Sequence, residues 1–254
     1  MYARATVRTL AGLVLAAASF TANAAVVFTN LGASPPPATV GGHNVTPFSL
    51  APQAAIPDSY DVPVLTIPGG PGGTVLTASP AVYKATLERN WGSDPWPGAY
   101  VGPIYFTGES GSFATLTLPS NTKAFYFYLQ NSYDGNPVDT VTVTTNSGAT
   151  SGPVLIRTDF FGANVGANGF AFHSTAGEMI TSITVNTSNT NGFAVGNFGI
   201  SVGPATTCAS EGYTGTKLLW CQNICEKGYT GALLSAWIHR WTERYRALPY
   251  CAVE

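Results

Sequence analysis

Between Val101 and Val202 the side chains fall into runs with a period of two, which fits pleated sheet. In Lys123 to Gln130, Phe125, Phe127 and Leu129 fall on one face, and Ala124, Tyr126 and Tyr128 on the other. Val141 and Val143 alternate with Thr140, Thr142 and Thr144; Ala114, Leu116 and Leu118 with Thr115 and Thr117; Ile183 and Val185 with Thr184. These residue types suit a half-buried pleated surface. Pro119-Ser120-Asn121, Asp134-Gly135-Asn136-Pro137 and Asn146-Ser147-Gly148 punctuate the runs as turns. The parity slips between Val195 and Phe198, which predicts a bulge at Gly196-Asn197. The reading is an all-β chain of roughly ten strands, an antiparallel β-sandwich or jelly roll.

The flanks differ. Residues 31–75 are loop-rich, with Ser34-Pro35-Pro36-Pro37 and Pro68-Gly69-Gly70-Pro71-Gly72-Gly73 as breakers. A short helix is expected next, with Ser79 as its cap, Pro80 in its first turn and Ala81 to Arg89 following. At the start, Arg4 and Arg8 precede the apolar run Leu10 to Phe20, and Ala22-Asn23-Ala24 has the form of a cleavage site. Residues 1–24 therefore read as a signal peptide, the mature chain beginning at Ala25, with no later segment apolar enough to span a membrane.

After Gly203-Pro204 the composition changes. Residues 208–254 hold nine of the 24 charged residues and all four cysteines. Gly212-Tyr213-Thr214-Gly215 recurs as Gly228-Tyr229-Thr230-Gly231, and each copy reads as a helix start with Thr214 or Thr230 capping through its hydroxyl. Leu234, Trp237, Ile238, Trp241 and Tyr245 form one apolar stripe on the second helix, which Pro249 stops. The domain plan is thus a signal peptide (1–24), a β-sandwich (25–204, loop-rich over 25–100) and an αα-hairpin (208–254).

Cys208, Cys221, Cys225 and Cys251 are even in number in a chain addressed for export, which favours disulfides that staple a hairpin too small to hold itself. Cys221 and Cys225 lie one turn apart on one helical face, so each is expected to reach a different partner, Cys208 or Cys251. The competing reading is a zinc site of the four cysteines with help from His239, but only one close cysteine pair exists.

Only 9% of residues are charged, so clustered cations that would attract nucleic acid are missing and no nucleic-acid partner is expected. Trp91, Trp96 and Tyr100, with Tyr126 and Tyr128 on the sheet, offer flat rings that suit sugars; core packing accounts for them equally well. Asn131, Asp134, Asn136 and Asp139 gather oxygens in one turn and could hold Ca2+, the one cofactor the sequence suggests; Asx turns explain the same residues. Gly108-Glu109-Ser110-Gly111-Ser112 nearly spells a nucleophile elbow but ends in Ser, and reads instead as a polar hairpin turn. Glu109, Asp159 and Glu178 are the carboxylates that could form a glycosidase pair, which needs them about 5–10 Å apart. His173 is opposite in parity to Phe170 and Phe172 and is expected to face solvent.

Leu118-Pro119-Ser120-Asn121-Thr122, Phe160-Phe161-Gly162, Ile180-Thr181-Ser182-Ile183-Thr184-Val185 and Phe193-Ala194-Val195-Gly196-Asn197-Phe198 resemble motifs of secreted β-sandwich proteins of Gram-negative bacteria, especially the PEP-CTERM (exosortase-sorted) group. The family's closing strand often has Asp where this chain has Asn197, and a cysteine-rich hairpin stands where the family carries its Pro-Glu-Pro signal and membrane helix. The resemblance implies an extracellular or surface protein and carries over no catalytic residue.

Three functions follow. The first is a non-enzymatic secreted or surface-associated protein of matrix or adhesion type, with a glycan or cell-surface component as partner. The second is a carbohydrate-binding module using exposed aromatics. The third is a secreted glycan hydrolase. Oligomeric state is not legible at this level.

Overall fold

The computed structural model describes residues 26–86, 96–109, 111–132, 138–157, 166–175, 178–203, 207–245, 248–249 and 251–252. The expected signal peptide, Trp91, Ser110, Asp134, Asn136, Asp159 and Phe160-Phe161-Gly162 lie outside them. In chain order the strands are β1 (Val26–Gly32), β2 (Thr39–Val40), β3 (His43–Asn44), β4 (Thr46–Pro47), β5 (Pro63–Ile67), β6 (Leu76–Thr86), β7 (Pro103–Phe106), β8 (Phe113–Thr117), β9 (Thr122–Asn131), β10 (Val138–Thr145), β11 (Val154–Arg157), β12 (Asn168–Ser174), β13 (Ser182–Thr187) and β14 (Phe193–Val202). A short helix α1 (Leu50–Ala54) precedes β5, and α2 (Gly215–Cys225) and α3 (Gly231–Arg244) close the chain.

Twelve strands form one antiparallel sheet in the order β1-β12-β9-β14-β7-β6-β8-β13-β10-β11, with β4 on β14 and β5 on β6. The sheet curls into two layers. One is β1, β12, β9, β14, β7 and the second half of β6; the other is the first half of β6 with β8, β13, β10 and β11. The fold is the expected all-β sandwich with a disulfide-linked helical hairpin.

The alternation decides what lies between the layers. Phe125, Phe127 and Leu129 of β9 join Phe170 and Phe172 of β12, Leu116 of β8, Val141 and Val143 of β10, and Ile183 and Val185 of β13 in one core. Phe127 stacks on Phe170 with ring centroids 5.4 Å apart. Each such aromatic contributes roughly 2–3 kcal/mol by leaving water.

One segment departs from its sequence signals. Ser79-Pro80 has the pattern of a helix start, yet Leu76–Thr86 is strand β6. One edge of β6 bonds to β5, and the other bonds first to β8 and then to β7. Pro80 falls between Ser79, the last residue paired with β8, and Tyr83, the first paired with β7, so its missing N–H removes no ladder bond. Pairing along both edges outweighs the local capping preference, and β6 becomes the strand that turns the sheet from one layer into the other. At its far end Lys84 is 3% exposed and held by Asp58, with Nζ to Oδ1 at 2.9 Å.

The bulge on β14 falls where the parity slips. Pairing with β9 skips between Gly196 and Gly199, and Asn197 adopts φ +51°. The neighbour on the other edge of β14 changes there from β7 to β4.

Candidate functional site

The four described residues of the proposed aromatic platform are indeed brought together, but inside the protein. Tyr126 and Tyr128 lie on the outer face of β9, where the sequence leaves an open sheet surface. The β2–β3 hairpin and the Trp96–Tyr100 segment belong to the cover of that face, in a second core with Ala124, Ala171, Ala194 and Ile104. Trp96 is 1% exposed and donates its Nε1–H to Gln130 Oε1 at 2.7 Å. Tyr100 and Tyr128 donate their hydroxyls to the carbonyls of Pro103 and Ser34, at 2.7 and 2.6 Å. Burial pushes the Tyr126 phenol up to about 12 and raises Tyr100 and Tyr128 as well, so all three stay protonated and neutral. The Tyr126 hydroxyl is buried without a hydrogen-bond partner among the described residues. Trp96, Tyr126 and Tyr128 are therefore core residues, and the reading of them as exposed sugar-stacking rings is corrected.

His173 is likewise turned towards the β2–β3 cover rather than to solvent. Gly41 is pressed so close that a Cβ there would lie 2.0 Å from the His173 Cδ2. Its Nδ1 is buried without a partner among the described residues, and neighbouring His43 places Nε2 3.1 Å from the Ser174 carbonyl. Burial, and secondarily the charge of His43, lowers the His173 pKa.

Of the proposed calcium ligands, Asn131 and Asp139 are described. Both are buried, and Asp139 Oδ2 accepts from Asn189 Nδ2 at 2.8 Å while its Oδ1 accepts from Ser188 Oγ at 3.2 Å. Asn131 Oδ1 accepts from Thr187 Oγ1 at 3.3 Å, and its Nδ2 is buried without a partner among the described residues. This half of the loop is a hydrogen-bonded clasp between β9, β10 and the residues after β13.

The two described carboxylates, Glu109 and Glu178, do not converge. Glu109 follows Gly108, whose carbonyl lies where a Cβ on Gly192 would sit, at the Asn131 end of β9. Glu178 precedes Ile180, whose N–H bonds the Thr122 carbonyl at the other end of β9. A ten-residue strand separates them by about 30 Å, several times the reach of a glycosidase pair. The turn at 108–112 is not a hairpin either: β7 and β8 do not pair, and the chain crosses there from one layer to the other. A strand follows it, so the strand–turn–helix of a nucleophile elbow is not built.

A surface that residue-by-residue motif reading passes over lies on the outside of the second layer. Registered pairing puts Thr144 beside Thr184 and Thr184 beside Thr115, and in the next row Thr142 beside Asn186 and Asn186 beside Phe113. Thr115 and Thr184 join their hydroxyls at 2.8 Å. Ser182 and Thr117 add a third row, and Thr140 pairs with Leu155 on the outer strand. None of these side chains is charged. Phe113 is 51% and Leu155 72% exposed, two apolar patches in a field of hydroxyls. The field repeats at about 4.8 Å across strands and 6.7 Å along them. Its signal is the polar half of the alternation, visible in each run but assembled only by the strand order β8-β13-β10.

The helical hairpin has its own core: Cys208, Cys221, Ile224 and Trp241, flanked by Leu218, Leu234, Trp237, Ile238 and Tyr245. The disulfides are Cys208–Cys221 and Cys225–Cys251, so the two helical cysteines reach different partners as expected, and the structure supplies which pairs with which. Three of the sulfurs lie within 4.8 Å of one another, but all four cysteines are consumed in disulfides, which replaces the zinc alternative. Among the described residues no helix is long and apolar enough to cross a membrane.

No protein-family model matches the chain, and neither does any curated protein sequence. Among solved structures it is similar to the N-terminal modules of endo-1,4-beta-D-xylanase 10B from Clostridium thermocellum in complex with xylohexaose, at 12% identity and TM-score 0.26, over 49% of this chain and 25% of that one. It is also similar to the enzymatically active domain of tailspike protein 4 from bacteriophage CBA120, at 14% identity and TM-score 0.26, over 50% of this chain and 19% of that one. The chain thus spans a quarter or less of either length, and superpositions this loose identify neither fold family nor activity.

Proposed function

We propose that this chain is a non-enzymatic secreted or surface-associated protein of matrix or adhesion type, which contacts neutral glycan through the outer face of β8, β13 and β10. The observation that carries the reading is the uncharged field of Thr115, Thr117, Thr142, Thr144, Ser182, Thr184 and Asn186 around exposed Phe113. Hydroxyls and an amide both donate and accept, which suits sugar hydroxyls, and an aromatic face suits the apolar side of a pyranose ring. A field without charge holds neutral polymers without the salt dependence of ionic binding. Disulfides are at home in an oxidising compartment, which supports an extracellular address, as does the resemblance to exosortase-sorted proteins.

The test is retention of purified protein on neutral polysaccharides, with and without chelator. Phe113→Ala and the double variant Thr115→Lys/Thr184→Lys are expected to lower retention about tenfold at unchanged far-UV circular dichroism, since the first removes an exposed ring, the second a half-buried hydroxyl pair, and neither a core residue. Undiminished retention by both variants sinks the proposed face. Loss on chelation alone assigns binding to the Asn131–Asp139 loop and its calcium instead.

A further inference from the structure

The second candidate surface lies on the hairpin and is the chemical opposite of the threonine field. We propose that α3, with the start of α2, forms a docking site for an acidic polysaccharide, one carrying carboxylate or sulfate groups along its chain.

Three cations of the hairpin rest on aromatic rings instead of on carboxylates. Arg240 lies 5.0 Å from the Trp237 ring centroid, and Arg244 reaches across to Trp220 on α2 at 5.7 Å. Lys217 sits among three rings, 4.2 Å from Tyr213, 5.3 Å from Tyr245 and 5.8 Å from Trp241. The described acids of the hairpin are engaged elsewhere or stand apart. Glu243 Oε1 lies 3.3 Å from His239 Nε2, a charge pair only when that imidazole is protonated, Glu226 accepts the Cys208 N–H at 2.7 Å, and Glu211 has no cationic partner among the described residues. The ring contacts hold the two guanidinium groups in place without neutralising them.

Arg240 and Arg244 are exposed and one turn apart on α3, with Cβ atoms about 5–6 Å apart. Two ring-held guanidinium forks from one exposed stretch of α3 can each make two-point hydrogen bonds to an anionic group of an extended polymer. Half-buried Trp237 and Trp220 border them and can pack against the apolar side of a sugar ring. An anionic bilayer is the less suitable occupant. The apolar stripe of α3 that would enter lipid, Leu234, Ile238 and Trp241, is already spent on the hairpin's own core. The charge selects an anion, and the use of the stripe selects a polymer over a membrane.

The site is independent of the threonine field, and the two are separable by salt and by variant. The experiment uses the full chain with its disulfides intact. Binding is measured to polygalacturonate and dextran sulfate, with dextran as the neutral control and phosphatidylglycerol vesicles as the lipid control. Expected are binding to the acidic polymers that weakens as salt is raised, and a loss of about tenfold or more in Arg240→Gln/Arg244→Gln, since each charge-assisted contact removed is worth about that much. Arg240→Lys/Arg244→Lys, which keeps the charge but loses the planar fork, should fall between. Both variants are on the exposed face, and Phe113→Ala should leave this binding intact. Equal binding of wild type and the Gln variant to the acidic polymers overturns the proposal. So does binding to the vesicles without binding to either acidic polymer.

Discussion

His173 illustrates how one side chain couples to its cover. Its ring lies against Gly41, its Nδ1 is buried and unpartnered, and His43 stands beside it. Burial disfavours the imidazolium, and a charged His43 disfavours it further. The folded-state pKa is therefore below the unfolded value, so the unfolded chain binds more protons in the window between them. Stability is complete above pH 6.5, falls as the pH drops through that unfolded value, and levels off below the folded pKa. His173→Gln, isosteric enough to keep contact with Gly41, should flatten the change in melting temperature between pH 7.5 and pH 5. An unchanged slope in that variant would assign the effect to another group.

At the scale of elements, the hairpin depends on its crosslinks more than on its helices. Thr214 and Thr230 stand at the helix starts as their sequence echo indicates, yet neither hydroxyl caps. The glycine after each is left-handed, Gly215 at φ +55° and Gly231 at φ +58°, which swings the first turn away from the preceding side chain. With that stabilisation missing, the disulfides at sequence separations of 13 and 26 matter more, each worth about 3 kcal/mol through the unfolded chain. Reduction should abolish the near-ultraviolet dichroism of Trp220, Trp237 and Trp241 and the helical far-ultraviolet band while strand signal remains. Retention of the helical band in reductant would show that the hairpin's core suffices. The same elements show what the sequence discloses. Alternation discloses β8, β9, β10 and β13, and broken parity discloses the bulge at Asn197, because both are local. β6 and the cover over Tyr126 are hidden, because partners distant in sequence decide them: β5, β7 and β8 for the one, β2 and Trp96 for the other. The candidate sites divide the same way. A ring is legible as a ring, but whether it meets water depends on distant segments that read only as loop.

For the whole molecule the decisive fact is that its cores do not share residues. The two cores of the sandwich draw only on residues between Val26 and Val202, and the hairpin core only on Cys208 onwards. Contacts that share no partners contribute additively to stability. Removing residues 204–254 should therefore leave the thermal transition of the sandwich within a few degrees of its place in the full chain. If the transition falls further, the hairpin seals part of the sheet and the two are one cooperative unit. An unchanged transition makes the chain a neutral face joined to a separate cationic one, so that salt and reductant should each release acidic polymer while neutral glycan stays bound. That independence gives the low overall charge a physical role: the Thr rows of β8, β13 and β10 carry no ions, Arg157 standing at their edge, while α3 sets two arginines one turn apart.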